Sequence, residues 1–318
     1  MAAHALPLLK MSPITATPGY IGLREQAARI NLSARGRIRA NGEDRARLLH
    51  AMTTNNIQAL QPGQGCYTFF LNAQGRILAD AVIWGFEDHL LIDTEPEQRS
   101  KILEHLDRYI IADDVTLEDI TDQTGAILIG GPEAESTLKQ MGAPIPDGTW
   151  SHLTWNEVEI QRVPAGFMLV GPRNAIPPLG NLTEATEEDA RTVRIEQGRP
   201  RYGEEITERY LVQEVALLDA VSFTKGCYLG QEIVERVRSR GQVHRLLRAI
   251  EIDAENPPAP GEKLSANGAE AGEIVSAAYS PALEKIVALA YVRTPSADPA
   301  TTLTLDGFNA RVVAAPRL

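Results

Sequence analysis

Apolar positions along the chain follow two different periods, and neither runs through it. Residues 20–60 carry helical spacing in part, with Asn41-Gly42-Glu43-Asp44 as a turn leading into a helix over Arg45–Met52 that turns Leu48 and Leu49 inward. Cys66–Leu71 and Arg76–Trp84 are β-rich and are separated by Asn72-Ala73-Gln74-Gly75, which predicts a hairpin with a four-residue loop. Ile102, Leu103, Leu106 and Ile110 fall on one face of an amphipathic helix over Glu97–Ile110. Short strands are predicted at Val115–Asp119 and Ala126–Ile129, a helix at Pro132–Met141, and two strands within Val158–Val170. A polar stretch, Thr183–Arg191, opens a helix that runs to Gln197. Leu229, Ile233 and Val237 recur at i, i+4 and i+8 and predict another helix from Leu229. Strands and helices are mixed without strict alternation, so the fold class is α+β rather than a doubly wound sheet.

The character changes near Val243. Short β-type runs then dominate: Leu246–Ile252, Ala271–Ala278, Ile286–Tyr291, Thr301–Leu305 and Ala310–Val313. Gly, Pro, Asn and Asp turns separate them, which predicts a small barrel or sandwich. The expected division is an α+β region over 18–242 and a C-terminal β-barrel over 243–318. A chain of 318 residues is long for a single core, which agrees with two or three units.

Composition is ordinary for a globular protein, with 43% hydrophobic and 23% charged residues. A net charge of −11 speaks against a general nucleic-acid binder. No apolar run approaches the ~20 residues of a membrane span. Met1–Pro13 has a short apolar patch followed by Lys10, a poor secretory signal because the charge comes after the apolar part. The two cysteines, Cys66 and Cys227, lie far apart in sequence and fit free thiols in a reducing cytoplasm. Two thiols cannot complete a four-cysteine metal or cluster site, so no metal centre is expected.

Four segments could carry chemistry. Lys225-Gly226-Cys227-Tyr228-Leu229-Gly230-Gln231-Glu232 puts a cation, a thiol, two glycines, an aromatic ring, an amide and a carboxylate at a helix start. Cys227 is either a reactive or partner-facing thiol, favoured as thiolate by Lys225 and the helix terminus, or a small buried residue. Arg194–Gly203 contains Glu196, which either faces a cavity and pairs with the N–H edge of a pterin-like ring or forms a surface pair with Arg194. Arg236 and Arg240 share one helix face within a basic cluster, and either grip an anion or form a solvated face. Asp80, in Gln74–Asp80, is out of place in an apolar row. It either faces a cavity as a proton acceptor or cation stabiliser, or meets water or Arg76 at a strand end. Walker-type loops, GxGxxG after a strand, HExxH and CxxC do not occur.

The chain resembles the YgfZ-type folate-binding proteins, relatives of the glycine-cleavage T-protein. The markers run in order: Thr54-Asn55-Asn56-Ile57, Pro62–Tyr67, Gly75–Asp80, Tyr109–Val115, Arg194–Pro200, Lys225–Glu232, then Arg236 and Arg240-Gly241. The resemblance implies a three-module cloverleaf, with two interleaved α+β modules and a C-terminal β-barrel around a channel for tetrahydrofolate. It implies that Glu196 binds the pterin, that Lys225 stands where the T-protein has a folate-contacting arginine, and that Asp80 stands where it has its catalytic aspartate. Lys225, Arg236 and Arg240 would face the glutamate tail or an acidic partner. Ala79 replaces the first of two adjacent acids usual in T-proteins, and a Tyr-Thr-Gly-Glu-Asp-Gly type motif is missing near Arg162–Phe167. The implied function is a tetrahydrofolate-binding accessory protein in iron–sulfur cluster assembly or repair, indirectly supporting tRNA modification, with iron–sulfur assembly or target proteins as partners and Cys227 as the working thiol. The alternatives are a folate-dependent aminomethyl or one-carbon transferase using Asp80, and a non-catalytic interaction adaptor.

Overall fold

The computed structural model describes residues 16–241, 243–299 and 301–314. The expectation for Met1–Pro13 lies outside the described residues. Two sheets and a closed barrel make up the β structure. The six-stranded sheet has the order Thr183–Glu184, Ala28–Asn31, Thr124–Gly130, Gly166–Pro172, Val158–Val163, Ser151–Trp155. The five-stranded sheet has the order Gly65–Leu71, Ile77–Gly85, Leu90–Thr94, Gly36–Asn41, Thr116–Asp119. The chain therefore lays one strand of the first sheet, builds all of the second, and returns to finish the first. The two α+β modules are interleaved in this sense.

Helix α1 (Pro18–Glu25) starts at a Thr17 N-cap with proline in its first turn, the position where the missing N–H costs nothing. Helices α2 (Arg45–Met52) and α3 (Arg99–Asp107) bury Leu48, Leu49, Ile102 and Leu106 against Ile38, Phe70, Ile83 and Ile92 of the five-stranded sheet. Helix α4 (Ala134–Gln140) covers the six-stranded sheet with Ala134 and Leu138, beside Ile129, Ile160 and Leu169. Helix α5 (Glu187–Glu196) opens on a capping box, Thr186 with Asp189. The short α6 (Val212–Val215) and α7 (Gln231–Arg240) follow, and α7 is bounded by Gly230 and Gly241, both left-handed.

The barrel is closed by six strands: Arg245–Ile252, Lys285–Arg293, Ala269–Ser280, Lys263–Ala266, Thr302–Leu305 and Phe308–Ala314. Ile250, Leu264, Ile274, Ala290 and Leu303 fill it. A further core joins it to the rest: Phe69, Leu71 and Ile77 meet Tyr210, Val212, Val234, Leu247, Leu289 and Tyr291, with the Tyr210 and Tyr291 rings stacked 3.7 Å apart. Among the described residues no helix is long and apolar enough to cross a membrane.

Three local expectations change. Residues 20–60 hold two strands as well as helices, and in the second strand Arg37 is fully buried, its guanidinium donating to the carbonyls of Ser33, Thr121 and Thr124. Lys263–Ala266 is a short strand that its polar Lys263 and Ser265 disguised. The residue α7 buries is Val234, while Leu229, Ile233 and Val237 are half-buried, and the helix starts at Gln231 rather than at Leu229.

Candidate active site in the central cavity

A cavity of about 1150 Å³ separates the two sheets. Tyr67, Asp80, Val82 and Asp93 face it from the five-stranded sheet, Leu128, Phe167 and Met168 from the six-stranded sheet, and Ala190, Val193 and Arg194 from α5. Asp80 and Val82 are two apart on one strand and point into the cavity, while Ala79 and Ile83 sit in the core behind. Asp80 is thus a mid-strand carboxylate, 7% exposed, away from Arg76. Arg76 instead donates to the Arg209 carbonyl.

The Tyr67 hydroxyl donates to Asp80 Oδ2 at 2.6 Å. Burial pushes the Asp80 carboxyl up to about 6, with Glu95 acting in the same direction and the Tyr67 hydrogen bond and Arg35 against it. A carboxylate so tuned can hold or release a proton close to neutrality. The Tyr67 ring stacks near Trp150, with centroids 6.1 Å apart and planes 17° from parallel. Trp150 has φ of 64°, a left-handed conformation that costs a bulky residue on the order of 1–3 kcal/mol. Backbone bonds hold it there: its N–H donates to the Arg162 carbonyl and its carbonyl accepts from Gly65. Trp150, Tyr67, Thr149 and Pro164 also border a smaller cavity of about 580 Å³, lined by Cys66.

Charge is concentrated on one wall. Arg35 pairs with Asp93 at 2.6 Å and with Glu95, and Arg201 reaches the same Glu95 at 2.9 Å. Burial would raise the Glu95 carboxyl, but the two arginines hold it below its ordinary value. Arg194 pairs with Glu204 and with the fully buried Glu205, both at 2.8 Å. Sequence reasoning missed this array. Its visible trace was Asp93, an acid ending the apolar run Leu90-Leu91-Ile92, together with Arg201, which follows Pro200.

Of the expected residues, Asp80 is on the cavity wall. Glu196 lies one layer behind it, on the face of α5 turned to α1: Tyr20 donates to its Oε1 at 2.6 Å and Arg24 Nε lies 3.2 Å from Oε2. It is neither a surface residue nor a partner of Arg194. Lys225 differs from the expected anion anchor. Its ammonium donates to the carbonyls of His50, Thr53 and Asn55, the last two at 2.7 Å, so all three N–H groups are taken. It joins the octapeptide to the segment after α2, and burial pushes its pKa down to about 7. Cys227 is an exposed free thiol, and Cys66 is half-buried, its thiol pushed up to about 12 by burial. Helix α7 begins at Gln231, beyond Cys227, and the three N–H groups of Lys225 are taken by carbonyls. Arg236 and Arg240 are exposed on α7 and do not line the cavity.

Gly230 explains part of the octapeptide. Its φ is 84°, and a Cβ there would stand 2.7 Å from the Asn72 carbonyl oxygen, while one at Gly75 would meet Ile233 at 2.8 Å. The two glycines let the hairpin loop close on the start of α7.

Comparison with known proteins agrees with this geometry. Residues 20–171 match the GCVT N-terminal domain and residues 245–317 the glycine cleavage T-protein C-terminal barrel domain. A putative chloroplastic transferase of Arabidopsis thaliana is 30% identical over 87% of this chain and 67% of its own length. An aminomethyltransferase of Streptomyces coelicolor is 27% identical over 89% of this chain and 82% of its own. The crystal structure of the glycine cleavage system aminomethyltransferase T from Bartonella henselae superposes with a TM-score of 0.85 at 20% identity, covering 96% of this chain and 90% of that one, and so shares the fold. With both domains matched in order and the fold shared along the chain, this protein belongs to the glycine cleavage T-protein family.

Proposed function

We propose that the protein is a folate-dependent transferase of the aminomethyltransferase kind, working in the central cavity. The observation that carries this reading is Asp80, a buried carboxylate on the cavity wall, held by Tyr67 and pushed up to about 6. Tetrahydrofolate fits the groups present. The cavity volume of about 1150 Å³ suits a ligand of that size, and the Trp150 and Tyr67 rings offer a stacking surface. Asp93 Oδ2 is an enclosed acceptor without a hydrogen-bond donor, the kind of group that a pterin N–H edge would satisfy, and Glu196 Oε2 has only Arg24 Nε, at 3.2 Å. Asp93 is on the wall, whereas Glu196 meets a pterin only where Arg24 gives way.

When bound, tetrahydrofolate supplies the nitrogen that takes up a one-carbon unit. Asp80 accepts a proton from a donor amine or stabilises positive charge developing on it, and Tyr67 fixes the orientation of the carboxylate. The test is anaerobic calorimetric titration with tetrahydrofolate, followed by turnover of an aminomethyl donor. Saturable binding with turnover that Asp80→Asn abolishes supports the reading, and binding without turnover of any such donor removes the transferase part.

A second reading rests on Cys227. Its exposed thiol lies in an octapeptide that the central cavity does not use. This supports a folate-binding accessory protein in iron–sulfur cluster assembly or repair, acting in the cytoplasm through protein partners and indirectly aiding tRNA modification. Arg236 and Arg240, exposed on α7 a few residues further on, suit an acidic partner. Full restoration of cluster-enzyme activity by Cys227→Ala in a strain lacking the protein would remove the thiol from that role.

A further inference from the structure

We propose that Arg199 anchors the carboxylate of a small-molecule ligand in the central cavity, a specificity role that rests on the transferase reading above. Among the described residues seven arginines line the cavity, and six of them have a carboxylate partner. Arg199 differs. Among the described residues its side chain has no ion pair, and its Nε is enclosed without an acceptor.

The position is built rather than accidental. Gly198, with φ of 67°, turns the chain at the end of α5. The Arg199 N–H then donates to the Arg194 carbonyl at 3.0 Å, and the Arg199 carbonyl accepts from Arg194 Nη1 at 2.7 Å. Pro200 follows. The backbone is pinned from both sides of the residue, so the side chain has a fixed origin on the wall. The nearby acids are already committed: Glu204 and Glu205 to Arg194, Glu95 to Arg35 and Arg201.

A cation largely withdrawn from water without a counter-ion is unfavourable. Burial and the neighbouring charge of Arg194 both act against its proton, lowering its pKa to about 10, so it stays charged at neutral pH. A carboxylate entering the cavity would meet it without displacing an existing partner. The planar guanidinium matches a carboxylate in two-point fashion, which selects for that group over a single point charge. Two sources offer it: the glutamate tail of tetrahydrofolate, or a separate amino-acid donor whose nitrogen would then face Asp80.

The test is calorimetric titration of wild type, Arg199→Lys and Arg199→Met with tetrahydrofolate, with 6-methyltetrahydropterin, which lacks the tail, and with N-methylglycine. Arg199→Met is expected to weaken one carboxylate ligand at least tenfold and leave the tail-less pterin unchanged, with Arg199→Lys between. Loss for tetrahydrofolate assigns the tail, and loss for N-methylglycine assigns the donor. Without ligand, Arg199→Met should melt at or above the wild-type temperature. Equal affinities for all three ligands, or a lower melting temperature without ligand, would overturn the proposal. Should the wild type bind none of the three, the folate reading falls by itself. Arg199 is then judged by citrate: a thermal shift present in the wild type and absent in Arg199→Met upholds it, and equal shifts reject it.

Discussion

The Tyr67 hydroxyl and the Asp80 carboxylate share a 2.6 Å hydrogen bond across neighbouring strands, with no other side chain bonded to the carboxylate among the described residues. Tyr67 lies opposite Val82 in the register, so its ring crosses diagonally to the acid two residues earlier. The pair places a proton-carrying group and its orienter on the wall of one cavity.

This pair gives a pH-dependent prediction. Asp80 titrates near 6 in the fold against 3.8 unfolded. A raised carboxyl pKa means that the native state holds the proton more tightly, so the contribution to stability is complete below about pH 4 and is lost as pH rises through 6. Asp80→Asn does not titrate. Its stability relative to wild type should therefore improve between pH 4 and pH 7, by on the order of 2–3 kcal/mol. Urea denaturation of both proteins across that range checks this. A constant difference would mean that Asp80 is not buried as described.

Tyr67→Phe removes the donor and one opposing influence on the Asp80 carboxyl, whose pKa should rise further. In a transferase assay the acidic limb of the pH–rate profile should move to higher pH. An unmoved limb would assign it to another group.

Lys225→Met leaves three carbonyls, of His50, Thr53 and Asn55, without their donor. A loss of about 2–4 kcal/mol in chemical denaturation is expected, because orphaned acceptors in a half-buried site are only partly rescued by water. Unchanged stability combined with lost tetrahydrofolate binding would return Lys225 to the ligand-anchor role.

Gly230→Ala meets both a φ of 84° and the Asn72 carbonyl 2.7 Å from the new methyl, and should cost about 2–4 kcal/mol. Gly226→Ala has only His50 Nε2 within reach, at 3.7 Å, and should be tolerated. Melting temperatures of the two variants separate a backbone role for the octapeptide from a purely chemical one.

Native alkylation with iodoacetamide should modify Cys227 well before Cys66, since Cys227 is exposed and Cys66 is half-buried with its thiol pushed up to about 12. Mass spectrometry of the peptides reports this directly. Comparable labelling of Cys66 would show that the smaller cavity opens in solution.

Local periodicity was enough to place most elements. The hairpin around Asn72–Gly75, the helices at Arg45–Met52 and Glu187–Glu196, and five of the six barrel strands follow from spacing and turn residues, because those signals act within a few residues of the chain. Asp80 was visible for the same reason: an acid on an alternating strand contradicts its own pattern. Tertiary structure decided the rest. Whether Lys225 grips a ligand or three carbonyls depends on where the end of α2 lies, 170 residues or more away in the chain for each of its bonds. The direction Glu196 faces depends on α1 packing against α5, and the free state of Arg199 depends on neighbouring arginines having taken Glu204, Glu205 and Glu95 first. Residue type and spacing limit what a side chain can bond, but only the folded chain sets which of the competing partners comes within reach.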